Sequence, residues 1–121
     1  MFRFYISMLS AEWFKKINIM NNKVKVTNLV LNAIDEFNSG LALEDQLKKD
    51  LNEILFDRSG KLDSMGFVNL STAIEMKLET EFGLTISLFG QQFDASVRDP
   101  LKTVGSLIEY LTWILNNNQK T

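Results

Sequence analysis

The sequence predicts an all-α domain built around one core, and two observations carry that expectation. Three separate stretches place apolar residues three or four positions apart, the spacing of one helix face. Between them stand asparagine and glycine stops and long irregular segments rather than alternating strand patterns. A chain of 121 residues with 45% hydrophobic and 23% charged residues is the size and composition of a single folded unit.

The first helix is read from Val26, where Val26, Leu29, Val30, Ala33 and Phe37 share a face, and it closes at Asn38-Ser39-Gly40. From Leu41 to Leu62 the leucines at 43, 47, 51 and 55 fit a long loop pinned to the core, with one helical turn in it, and Arg58-Ser59-Gly60 reads as a turn. The second helix starts at Ser64. Its stripe of Phe67, Leu70, Ile74, Leu78 and Phe82 stays on one side for about five turns, with Asp63 and Ser64 at the opening and Gly83 at the close. Its other side carries Met65, Asn69, Thr72, Met76 and Glu79, with Glu75 on the flank; methionines on a solvent face are often partner contacts. Residues 84–102 lack a clean period and contain Asp99-Pro100, so a loop with a short third helix is expected. The last helix is marked by Val104, Leu107, Ile108, Leu111 and Leu115, with Thr103 as N-cap and Trp113 on its outside.

Residues 1–22 are expected to be an N-terminal extension, disordered or ahead of the true start, since Met20-Asn21-Asn22-Lys23 would open a folded domain naturally. A membrane-touching amphipathic helix is the third reading of this aromatic segment. The folded domain is then 23–116, with 117–121 as a tail. No run of eighteen apolar residues spans a bilayer, so stable membrane insertion is not expected and a cytoplasmic location is.

Composition removes much chemistry. The chain has no histidine and no cysteine, which excludes imidazole acid–base catalysis, thiol nucleophiles, disulfides and the common zinc sites. No paired carboxylates have catalytic spacing, no lysine is placed to activate a serine, and no glycine-rich loop cradles phosphate, so the protein is not expected to be an enzyme. The net charge of −2 gives no support to nucleic-acid binding. The charge is unevenly spread: residues 1–30 carry five positive charges and one negative, whereas residues 31–83 carry five positive and eleven negative. An acidic middle of this kind attracts basic partners.

Ser64 is the residue whose setting is most specific. Gly60-Lys61-Leu62-Asp63-Ser64-Met65-Gly66-Phe67-Val68-Asn69-Leu70, then Ala73-Ile74-Glu75, Glu81-Phe82-Gly83-Leu84-Thr85-Ile86 and Thr103-Val104-Gly105-Ser106-Leu107-Ile108-Glu109-Tyr110-Leu111 together resemble the acyl carrier proteins. The resemblance covers about residues 24–115. It implies a four-helix bundle of acyl-carrier-protein type, with a long loop between the first two helices and a short third helix. It implies that Ser64 receives phosphopantetheine from coenzyme A, through a phosphopantetheinyl transferase, and carries an acyl or aminoacyl thioester between a ligase and a downstream synthase or transferase. A monomer is expected. Asp63, Met65, Glu75 and Glu79 are the partner contacts carried over from the family, with Met65 as apolar anchor. Asn69 stands where an acid is frequent, Met76 lies in the usually acidic second half, and the segment Ile74 to Phe82 is one turn longer than in common fatty-acid carriers, features closer to specialised stand-alone carriers. Phe67, Ile74, Leu78 and Leu84 to Phe89 would line any space for a folded-back acyl chain. The competing expectation is a non-catalytic helical interaction module in which Ser64 is only a helix N-cap and the Met65/Met76 face docks a partner.

Overall fold

The computed structural model describes the backbone over residues 2–56, 59–88 and 100–118, and side chains within residues 11–117 of those ranges. The described residues form three helices and no strand: α1 (Phe2–Asn38), α2 (Ser64–Phe82) and α3 (Val104–Asn118). The short third helix expected between Leu84 and Lys102 falls mainly on residues 89–99, and Arg58 of the expected turn is likewise outside the described residues. Residues 83–88 are irregular.

The apolar stripes read from the sequence form one core. Val26, Leu29, Val30 and Ala33 of α1, Phe67, Leu70, Ile74 and Leu78 of α2, and Val104, Leu107, Ile108, Leu111 and Leu115 of α3 are all buried, with Phe37 and Phe82 packed at the edge. Each large aliphatic side chain fully withdrawn from water contributes about 1.5–3 kcal/mol, so this cluster is the main source of stability. α1 is the central element and packs on both α2 and α3.

The first helix is far longer than its core stripe. It begins at Phe2 rather than near Val26, because residues 2–25 contain neither glycine nor proline and nothing upstream interrupts the hydrogen-bond ladder. The edge of the bundle is visible in burial instead. Asn22 is the first buried residue of α1 among the side chains described, and its amide donates to Asn116 Oδ1 at 2.8 Å near the end of α3. The helices α1 and α3 therefore run antiparallel, and the helix upstream of Asn22 projects past the bundle.

The described residues between Ser39 and Asp63 form a loop, as expected, with a single 3-10 turn among them at Leu43–Asp45. Of the leucines at 43, 47, 51 and 55, Leu47 and Leu55 enter the core while Leu43 and Leu51 stay exposed. Two polar devices hold it. The Asn38 side chain accepts from the Leu47 N–H and donates to the Leu47 carbonyl, both at 2.8 Å, imitating a strand pairing. Farther on, Ile54 bridges Thr103, while the Val104 and Gly105 N–H groups donate to Glu53 and Leu51 carbonyls at 3.0 and 2.8 Å. These are the orphan donors of the first turn of α3, so the loop doubles as its cap. Thr103 and Ser106 complete the end: the Ser106 N–H donates to Thr103 Oγ1 and the Thr103 N–H to Ser106 Oγ, a capping box with serine in the glutamate position.

Candidate functional site

The start of α2 is built by Asp63. Its backbone is extended (φ −86°, ψ −179°) and its Oδ1 accepts from the Gly66 N–H at 2.7 Å, while its carbonyl accepts the first helical bond from Phe67. Asp63 is thus the N-cap, and Ser64 is the first helical residue rather than the cap. A Cβ on Gly66 would stand 3.1 Å from both Asp63 Oδ1 and Leu62 Cδ2, so the capping carboxylate sits close over this residue because glycine leaves it room. One residue on, Phe67 turns inward and packs its ring against Phe56 of the loop, with centroids 4.6 Å apart, which fixes the first turn against the loop.

Released from capping, Ser64 is exposed, and its hydroxyl makes no hydrogen bond to another described residue. It stands at the positive end of the helix dipole, where a covalently attached phosphodiester would be favoured by about 0.3–1 kcal/mol. An exposed hydroxyl at a helix N-terminus fits a phosphate-linked group there.

The other expected contacts separate into two groups. Met65 (71% exposed), Asn69, Thr72, Met76 (64% exposed) and Glu79 all lie on the open side of α2, one continuous stripe running down from Ser64. Glu75 does not belong to it. Its carboxylate is half-buried and accepts from the Leu88 N–H at 2.6 Å, which ties the segment after α2 back onto the helix. Sequence reasoning placed Glu75 on the flank of the helix but had no way to see the returning chain.

Beside the open stripe, Glu36 of α1 pairs with Lys77 at 2.8 Å, and a shallow groove of about 390 Å³ runs between Glu36, Ala73, Met76, Lys77, Thr80 and Glu81. Phe67, Ile74 and Leu78, expected to line any space for an acyl chain, are packed in the core, and Phe89 lies outside the described residues. The helix closes at Gly83, whose φ of 65° is left-handed and whose N–H reaches back to the Glu79 carbonyl. Trp113 is exposed on the outside of α3. Among the described residues no group of three or more acidic side chains is arranged to hold a metal ion. No protein-family model, curated protein or solved structure matches the chain.

Proposed function

We propose that this protein is an acyl carrier: Ser64 accepts phosphopantetheine from coenzyme A, and the thiol of the arm holds an acyl or aminoacyl group as a thioester for partner enzymes. The observation that carries the reading is the division of labour at the start of α2. Asp63 caps the helix and Ser64 Oγ is left exposed and unbonded at the helix N-terminus. A serine kept only for capping would hold the bond that Asp63 holds.

On this reading the bundle is of acyl-carrier-protein type, with a short further helix before α3, and the chain itself performs no catalysis. A phosphopantetheinyl transferase brings the base and Mg²⁺ for attachment, a dedicated ligase charges the thiol, and a downstream synthase or transferase unloads it. Met65 is the apolar anchor for these partners and Glu79 the acidic contact on the open stripe. The alternative, a helical interaction module without an arm, draws on the same exposed Met65 and Met76.

The deciding experiment is the intact mass of the protein before and after incubation with coenzyme A, Mg²⁺ and a promiscuous phosphopantetheinyl transferase, beside Ser64→Ala. One added arm that Ser64→Ala refuses establishes the carrier. No addition to folded protein with several transferases leaves the interaction module as the better reading.

A further inference from the structure

α1 carries two apolar faces, and only one of them meets the bundle. The core-facing residues Val26, Leu29, Val30, Ala33 and Ile34 are buried. Upstream, Trp13, Ile17, Met20 and Val24 follow at i, i+4, i+7 and i+11 and form a second stripe, centred about 140° around the helix from the first. Three of these four are exposed, at 63%, 67% and 58% for Trp13, Met20 and Val24, and Phe14 beside them is equally open. In the sequence the same spacing continues upstream at Leu9, Ile6 and Phe2. The face that prolongs the core side is mostly polar over this stretch, with Glu12, Lys15 and Asn22, and its one large apolar residue, Ile19, is exposed. An exposed apolar stripe turned away from the bundle is not the continuation of a core, and it is too large to be incidental.

We propose that this half of α1 lies along an anionic lipid surface, with Trp13, Met20 and Val24 in the interfacial layer and the lysines at the headgroups. Charge complementarity selects this occupant. Residues 1–30 hold five basic side chains and one acidic, on a chain whose net charge is −2, and Lys16, Lys23 and Lys25 flank the stripe. A second copy pairing through the same face would bring those cations together, with Glu12 as the one acidic residue of the segment to set against them. A tryptophan with neighbouring lysines suits the lipid–water boundary, where the ring is half-immersed and the ammonium groups extend to phosphate. Among the described residues no helix is long and apolar enough to cross a membrane, so the association is peripheral and reversible. It also leaves Ser64 clear: Asn22 marks one end of the bundle, and Gly66 packs near Phe37, roughly 22 Å farther along α1. The proposal does not depend on Ser64 carrying an arm.

The test uses the full chain carrying Trp113→Phe, so that Trp13 is the single tryptophan. Vesicles of phosphatidylcholine with about 30 mol% phosphatidylglycerol should shift its emission to the blue and carry the protein into the pellet, whereas pure phosphatidylcholine should do neither. Raising salt from about 0.05 to 0.5 M should release it. The double change Lys16→Gln and Lys23→Gln should weaken binding about thirtyfold. Circular dichroism of each variant confirms that it is folded, and the salt series on unaltered lysines gives the same answer should a variant fail. No response to anionic vesicles, or equal binding to both lipids, overturns the proposal. So does a dimer in sedimentation equilibrium that Met20→Ser with Val24→Ser dissolves while vesicle binding is absent, which would make the stripe a contact between copies.

Discussion

Replacing Asp63 and Ser64 separately with alanine should give opposite results for folding, and the contrast tests the whole account of the site. Asp63→Ala removes the acceptor that holds the Gly66 N–H at 2.7 Å, the only side-chain cap on α2. A lost aspartate cap costs about 1 kcal/mol, and losing a carboxylate from the positive end of the dipole adds a few tenths, for a total near 1.5 kcal/mol. For a two-state domain of this size that lowers Tm by about 6 °C. Asp63→Asn keeps the acceptor and should lose only the smaller, charge-dependent part. Ser64→Ala removes a hydroxyl with no partner among the described residues and should stay within about 0.5 kcal/mol of the parent. Thermal and urea unfolding followed by far-UV circular dichroism at low salt measure all three. If Ser64→Ala costs as much as Asp63→Ala, serine is the cap and the argument for a hydroxyl held in reserve collapses. If it is neutral, failure of Ser64→Ala to accept an arm is chemical and owes nothing to misfolding.

Asn38→Ala should cost about 2–3 kcal/mol in urea unfolding, because it strips the Leu47 N–H and carbonyl of their shared partner where the loop joins the core. Glu75 and Glu79 should part company: Glu79→Lys slows charging by a partner enzyme at low salt and leaves stability unchanged, whereas Glu75→Lys speeds hydrogen exchange at the Leu88 amide at least tenfold by breaking its bond. Burial raises the Tyr110 phenol above its ordinary value of 10.0, so the folded state keeps a proton that the unfolded state gives up. Stability from this group is complete below pH 10 and falls as pH rises through the folded-state pKa, so urea midpoints of the parent should drop more steeply above pH 10 than those of Tyr110→Phe. A chain beginning at Met20 should match the full chain in Tm, since between residues 11 and 21 only Ile17 is even half-buried, while Asn22→Ala should lower it by removing the bond to Asn116.

The three core stripes were legible because a helix face repeats every three or four residues, and each of them is buried. The closing Gly83 and the N-cap at Thr103 were legible for a similar reason, being local chemistry within a few residues. What escaped depends on contacts distant in sequence. The Asn22–Asn116 bond joins residues 94 apart, and no local pattern distinguishes a buried asparagine from a surface one. Asn38 looked like a simple helix stop, whereas its amide holds a loop strand nine residues on. Glu75 looked like a flanking surface acid until the chain past Gly83 returned to meet it. The Asp63-Ser64 pair shows the limit at its narrowest: either side chain could cap the helix by type, and only the backbone of residue 63 decides which does.

The same reasoning explains why the length of α1 was the largest surprise. The core stripe of α1 begins at Val26, and residues 1–22 read as an extension because Met20-Asn21-Asn22-Lys23 suits the start of a folded domain. Neither feature bears on whether the backbone is helical, because a ladder of N–H and carbonyl bonds needs only the absence of breakers. Amphipathic phase reports what a face meets, and backbone continuity reports what the residues permit. When the two disagree within a single unbroken helix, as they do across Val24 and Val26, the helix spans two environments. Here the downstream half meets a core made of α2 and α3, and the upstream half, with its cations beside its exposed aromatic residues, is suited to a surface of opposite charge.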